Sequence, residues 1–255
     1  MASRDGVNDR GSLGIWDGVR AFAGGTWFII VTPSVWGWSL VPIGFMAFFS
    51  ISLCGLSSWG AWESSKALFG ETHFGTWALA CLLGLIGATI AVLIALTLAQ
   101  PCAGFALEAI CRAQERALVG RATPAIPYWQ SLRRNLKVVA ITVIFGGGFM
   151  LALTVVEFFF PPAAIVTIPV RLLVGGWLMA WNFLDYPFGL RGMGIRDGIG
   201  WIGRHFGAVT LFGVAWWTLV FFPGAILLLI PMGVAGATRM VVEADGVPRE
   251  NSRRR

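Results

Sequence analysis

Charged side chains are scarce in the apolar stretches of this sequence, and Arg171 is the single basic residue inside one of them. A buried charge in an apolar environment is costly, so such a residue marks either a pathway for a charged solute or an ion pair. The candidate partner for a pair is Glu157, in the preceding apolar stretch. The sequence leaves both interpretations of Arg171 open, whereas for Glu157 it favours the structural one.

A second charged cluster lies on an amphipathic helix predicted over residues 101–120, with Pro101 in its first turn. Glu108 could line the mouth of a pore there. Its simpler interpretation is an i,i+4 pair with Arg112, contributing about 0.2–0.5 kcal/mol. We expect this helix at the cytoplasmic surface or at a pore mouth. Its predicted apolar face is Ala103, Ala106, Leu107, Ile110, Ala113 and Ala117, opposite Glu108, Arg112, Glu115 and Arg116.

Residue types that serve enzymes are present but do not form a catalytic pattern. The sequence has no GxSxG, HExxH, Walker A or dinucleotide-binding motif. His73 and His205 are isolated, and the four cysteines form no CxxC or Cys/His cluster. We therefore expect no enzyme activity, no metal site and no cofactor. The missing nucleotide-binding loop also argues against a primary pump.

The composition indicates an integral membrane protein. Hydrophobic residues make up 56% of the 255 residues and charged residues 13%, whereas soluble domains carry roughly 25% charged residues. The sequence predicts an all-α polytopic protein that forms a single membrane domain over residues 1–255. We expect residues 1–14 and 246–255 to be disordered tails. The apolar stretches cover residues 27–57, 76–100, 137–160, 162–183 and 208–238.

Prolines divide these stretches into two long helices and two helical hairpins. A helix needs about 20 apolar residues to cross the membrane, and the first two stretches are long enough. The third and fourth meet at Pro161-Pro162, which predicts a hairpin tip. Pro223 splits the fifth into arms of about 15 residues, roughly 22 Å of helix. We expect at least this second hairpin to enter the membrane only partway.

Basic residues predict the orientation of the chain. They precede the first stretch, separate the second from the third, separate the two hairpins and follow the last. The predicted loop over residues 58–75 has only Lys66, flanked by Trp59, Trp62 and Trp77 as interface anchors. By the positive-inside rule both termini are cytoplasmic. The net charge of +6 is thereby explained without nucleic acid as a partner.

Three sequence blocks resemble the CysZ/etoposide-induced-protein family. The segment WNFLDYP resembles its aromatic-DYP signature, at Asn182, Asp185, Tyr186 and Pro187. The segment PMGVAGATR resembles the ending of the family around Gly236, Ala237 and Thr238. PCAGFALE resembles a third family segment, with Gly104 and Glu108 in register.

The resemblance implies a fold of two long transmembrane helices and two partly penetrating hairpins, assembled as an oligomer. It also implies architectural roles for the signature residues. We expect Asp185 to cap a turn or to pair with Arg191, Tyr186 to anchor at the membrane interface, and Pro187 to end its helix. One departure concerns the substrate: Trp36 and Gly37 stand where sulfate-binding members have two arginines.

The leading hypothesis is a channel-like or facilitative transporter of sulfate or a related small anion. It would be a homo-oligomer in the plasma (inner) membrane, with the lipid bilayer and the anion as partners. The alternative is a membrane-organising or tethering protein of the same fold, which the missing arginine pair favours. Candidates for the substrate path are Gly104, Glu108, Arg171 and Arg239.

Overall fold

The computed structural model of the chain describes residues 13–71, 74–220 and 225–246, and these ranges contain ten α-helices and no strand. The predicted all-α class is confirmed. The two predicted tails lie almost entirely outside the described residues. The helices are α1 (Ile15–Val31), α2 (Trp36–Phe69), α3 (Phe74–Cys102), α4 (Gly104–Val119), α5 (Tyr128–Ile141), α6 (Gly148–Phe159), α7 (Ala164–Leu190), α8 (Ile195–Arg204), α9 (Phe206–Leu219) and α10 (Ala225–Ala244).

Within the described residues, four helical segments are long and apolar enough to cross a membrane. Both arms of the first hairpin are among them, because a π-helical turn joins α5 to α6 without ending the helix. In the second hairpin, α9 has 14 residues and a length of about 21 Å, short of the ~30 Å hydrocarbon core. The four segments are Pro33–Phe69, Phe74–Ala99, Tyr128–Phe159 and Pro161–Leu190.

The chain forms two compact units, of which the smaller comprises residues 40–103. In this unit Gly87 of α3 lies directly against Ser57 of α2, and the rings of Trp62 and Trp77 meet at 4.8 Å. The helices separate within the loop predicted over residues 58–75, but the predicted length was wrong, because α2 continues to Phe69 and α3 begins at Phe74. Polar side chains alone do not end a helix, and this segment contains no proline.

The larger unit, residues 1–39 and 104–255, packs α1, α4, α7, α9 and α10 around one apolar core. Helix α1 was missed by the sequence analysis, whose first apolar stretch begins at residue 27. Its glycines allow close backbone contact: Gly18 lies against the carbonyl of Ala208 in α9, and Gly25 lies against Gly236 in α10. Small residues permit such approach in membrane proteins.

Helix α4 differs from its predicted form in two respects. It begins at Gly104, so Pro101 belongs to the end of α3 and not to the first turn of α4. The predicted polar face is also only partly exposed to solvent, because Glu108 and Glu115 are 6% and 4% exposed whereas Arg116 is exposed. Buried carboxylates need partners, and the neighbouring helices α5 and α7 supply them.

The contact between α1 and α10 can be tested with a glycine pair. Gly25→Ala should destabilise the protein, because the added methyl group would overlap the backbone of Gly236. Overpacking of this kind costs about 1–3 kcal/mol, to be measured as a lower Tm in detergent. The control is Gly200→Ala in α8, where a Cβ meets nothing within 4 Å. Equal Tm values for the two variants would contradict the close contact.

Candidate functional site

A buried polar seam runs between α4, α5 and α7 in the larger unit. On α4 the spacing of Glu108, Arg112 and Glu115 places them on one helix face. That face meets polar side chains of α5 and the end of α7. The polar seam is defined here as Glu108, Arg112, Glu115, Ser131, Arg134, Asn135, Asp185 and Arg191, with Asp245 at its edge.

The central ion pair of the polar seam joins α5 to α7. Both Nη2 and Nε of Arg134 donate to Oδ1 of Asp185, at 2.8 and 3.1 Å. The third donor, Nη1, bonds the carbonyl of Met193 at 3.0 Å. Asp185 is 4% exposed, so the arginine compensates a carboxylate that has lost its hydration. The predicted pairing of Asp185 with Arg191 was wrong.

Arg191 instead bridges two other segments. Its Nη2 lies 3.1 Å from Glu115 of α4 and 3.1 Å from Asp245, just beyond α10. The second oxygen of Glu115 accepts a hydrogen bond from the backbone N–H of Thr123 at 2.9 Å. Arg191 is the residue directly after α7, so its side chain leaves the helix end toward α4. The side chain of Arg191 is therefore directed away from Asp185.

Glu108 accepts a hydrogen bond from the Ser131 hydroxyl, and the predicted direct pair with Arg112 is not among the ion pairs of the described residues. Burial raises the pKa of the Glu108 carboxyl, whereas the Ser131 hydrogen bond and the charges of Arg112 and Arg134 act in the opposite direction. The Asp185 charge adds to the rise. The neutral form of Glu108 therefore persists to higher pH than that of an exposed glutamate.

Three buried hydrogen-bond donors of the polar seam have no partner in the described part of the chain. They are Nε of Arg112, Nδ2 of Asn135 and Nη1 of Arg191. The Asn135 amide lies against Gly104, where any side chain on α4 would collide with it. Unpaired buried donors are costly, and an anion beside any one of them would supply the missing acceptor.

The Arg171 ion pair suggested by the sequence is present. Nη2 of Arg171 lies 2.8 Å from Glu157 and 3.0 Å from the Thr154 hydroxyl. Thr167 also donates to Glu157. On α7, Arg171 and Asp185 are separated by about 21 Å of helix, so the structure does not bring Arg171 to the polar seam.

The remaining signature residues pack helices. Tyr186 is 7% exposed and belongs to the core, so its predicted place at the membrane interface was wrong. Pro187 does not end α7, which continues to Leu190 before Gly192 adopts a φ of 66°. A glycine in this left-handed conformation is a common helix terminator. The Asn182 amide bonds its own helix at Leu178, at 2.7 Å.

The block around Thr238 fixes α10. Gly236 lies against the carbonyl of Ala21, and Ala237 is fully buried. The Thr238 hydroxyl lies 2.8 Å from the carbonyl of Val234 and 3.1 Å from Sγ of Cys111 in α4. Arg239 bonds Glu243 at 2.9 Å and covers Gly24 of α1. It therefore lies at the α1–α10 contact, on a different helix pair from the polar seam.

The sequence analysis missed Ser131, Arg134 and Asn135. Arg134 had been counted only as one of the basic residues that set the orientation of the chain. The signal that could have found them is their 3- and 4-residue spacing from Ser131, which places all three on one face of α5. Their partners on α4 and α7 are not adjacent in sequence, so spacing alone would not have paired them.

Four apolar helical segments of spanning length in the described residues define a polytopic α-helical membrane protein. The chain belongs to the family described as sulfate transporter CysZ/etoposide-induced protein 2.4, whose model matches residues 22–231. It is 33% identical over 107 residues to the sulfate transporter CysZ of Pseudomonas syringae pv. tomato, covering 41% of this chain and 42% of that protein. It is 32% identical over 88 residues to the sulfate transporter CysZ of Pseudomonas fluorescens (strain Pf0-1), covering 34% and 35%. These alignments span about two fifths of the relatives or less.

The Arg134–Asp185 pair yields a stability prediction. Arg134→Met should strongly destabilise the protein, because it leaves Asp185 buried without a counter-charge. Breaking a buried pair from one side costs about 3–5 kcal/mol, which thermal unfolding in detergent will detect. The double variant Arg134→Met/Asp185→Leu should recover part of the loss. The neighbouring Arg133→Met serves as the control, and an equal loss there would contradict the pair's role.

The raised pKa of Glu108 predicts how stability depends on pH. The folded chain holds this proton to higher pH than the unfolded chain, so the contribution to stability is greatest at low pH. It declines as pH rises from the ordinary value of 4.5 through the raised folded pKa. Glu108→Gln keeps the acceptor for Ser131 and should lack this decline. The Tm of the wild type minus that of the variant should fall with rising pH, and a constant difference would contradict the assignment.

Proposed function

We propose that this chain is a channel-like or facilitative transporter of sulfate or a related small anion. The observation that carries the proposal is the set of unpartnered buried donors at Arg112, Asn135 and Arg191. A tetrahedral oxyanion accepts hydrogen bonds in several directions, and charged donors bind it most strongly. The names of the related bacterial proteins, sulfate transporter CysZ, support the choice of anion.

Glu108 is compatible with an anion path if it is neutral. An ionised carboxylate would repel sulfate, whereas a protonated carboxyl removes the charge and leaves a hydrogen-bonding group. Burial favours the protonated form. Gly104 would lie on the same path, because it allows Asn135 to reach α4. Arg171 and Arg239 remain candidates for additional positive charge elsewhere along the route.

The proposed setting is the inner membrane of a bacterium, with both termini cytoplasmic and several copies assembled. The bacterial origin of the relatives supports a location in the inner membrane. The distribution of Lys and Arg along the sequence supports cytoplasmic termini. The chain would act without a bound cofactor or a nucleic-acid partner. Basic segments on the cytoplasmic side would attract the anion once it leaves the seam.

The alternative function, membrane organisation or tethering without transport, is favoured by positions 36 and 37. Trp36 donates its indole N–H to the carbonyl of Ile29 at 2.8 Å, and Gly37 has no atom near a would-be side chain. Neither residue offers the charge that the arginine pair of sulfate-binding relatives supplies. The open space at Gly37 allows an arginine to be introduced there without a steric clash.

Radiolabelled sulfate uptake into proteoliposomes tests the proposal. The wild type should take up sulfate, and Arg112→Gln should reduce uptake about tenfold or more, because it removes a charged donor whose hydrogen bonds contribute roughly 1.5–3 kcal/mol. The matched control is Arg116→Gln, an exposed arginine one turn along α4, where uptake should be unchanged.

A gain-of-function variant separates the two functions. Trp36→Arg/Gly37→Arg restores the residue types of sulfate-binding relatives and should increase uptake further. If neither the wild type nor this variant transports sulfate or thiosulfate, the transport proposal is wrong. Uptake by the double arginine variant alone would mean that the scaffold conducts but that the wild type has lost its substrate.

A further inference from the structure

Two helices of the larger unit begin with the same short motif. Gly14-Ile15-Trp16-Asp17-Gly18 starts α1, and Gly194-Ile195-Arg196-Asp197-Gly198 starts α8. In both, the aspartate carboxylate accepts the N–H of the first glycine, at 2.9 and 3.2 Å. The carboxylates are thereby directed to the helix N-termini, where a negative charge is stabilising. The exposed arginines Arg20 and Arg196 remain directed to the surroundings.

The start of α1 lies beside the junction of α8 and α9. The N–H of Leu13 donates to Nδ1 of His205, at the junction of α8 and α9, over 3.1 Å. Gly207 in α9 faces Ile15 so closely that a Cβ would lie 2.8 Å from its Cγ1. The start of α1 and the C-terminal end of α8 therefore adjoin and present one surface. We call it the twin-helix surface, formed by Ile15, Trp16, Arg20, Ile195, Arg196, Ile199 and Phe206.

Helix α8 has three distinct faces. One is buried against the unit through Gly198 and Trp201. The second exposes apolar side chains, with Ile199 at 60% exposure and Ile195 on the preceding turn. The third carries Arg196 and Arg204, both exposed. A short helix with an apolar and a basic flank is typical of a segment that lies in the plane of the membrane interface.

The start of α1 repeats this arrangement. Trp16 is 71% exposed and lies one turn before Arg20. Indole rings favour the headgroup level of a bilayer, where the ring is partly apolar and its N–H can bond to water or to lipid. Arg20 contacts the carboxylate of Asp17 at 3.3 Å, and its side chain is 62% exposed.

We propose that the twin-helix surface binds anionic phospholipids, with Ile15, Trp16 and Ile199 in the upper acyl region and Arg20 and Arg196 on the phosphates. Charge complementarity favours an acidic leaflet, since the motif carboxylates are occupied at the helix ends and the arginines are exposed. A free phosphate ion would satisfy the arginines but would leave the adjacent apolar side chains in water. A headgroup joined to acyl chains covers both.

Full-length protein in lipid nanodiscs provides the test. Its Tm should be higher in phosphatidylcholine discs that contain phosphatidylglycerol than in phosphatidylcholine alone, and added salt should weaken this shift because the contacts are electrostatic. Arg20→Gln/Arg196→Gln should reduce the shift by about half or more. The control Arg116→Gln/Arg121→Gln removes the same charge from exposed positions outside the surface and should retain it.

A control with a free phosphate compound distinguishes lipid binding from phosphate binding. Adding glycerol phosphate to phosphatidylcholine discs should not reproduce the shift; if it does, the ligand is a free phosphate and the lipid proposal is wrong. The proposal also fails if the wild type shows no shift or if both double variants lose it equally. The measured quantity is the Tm and not sulfate uptake. The lipid proposal can therefore be judged even if the transport proposal is wrong.

Discussion

The larger unit depends on one constraint: a carboxylate that leaves water must find a cation within its own fold. Asp185 meets this constraint through Arg134, which uses all three of its donor groups on α7 and on the residues that follow it. The pair joins the first helix of a hairpin to the last turns of its second. In the same way, Arg191 compensates the charges of Glu115 on α4 and Asp245 just beyond α10.

Close backbone contact allows these short side-chain bridges to form. Where Gly25 meets Gly236, and where Gly213 meets the carbonyl of Gly176, no side chain separates the helices. Without a hydrophobic driving force between helices in lipid, such contacts supply much of the packing energy. The glycines and the ion pairs are therefore complementary: the former bring the helices together, and the latter determine which faces meet.

Hydrophobicity and length predicted the long helices because both depend only on local sequence. The same criteria missed α1 and α8, which are partly polar, although the repeated motif around Asp17 and Asp197 was available as a helix-start signal. The partner of Asp185 was mistaken for a different reason. Arg191 is near in sequence, but the helix end directs it toward Glu115, and this direction exists only in three dimensions.

Charges of both signs face one another in the polar seam. Arg112, Arg134 and Arg191 face three carboxylates, those of Glu115, Asp185 and Asp245. With Glu108 protonated, these charges cancel, and among the described residues the buried donors of Arg112 and Asn135 have no hydrogen-bond partner. With Glu108 ionised, the seam carries a negative charge beside those donors. Because burial favours the protonated carboxyl, the fold shifts the charge of the seam toward neutrality.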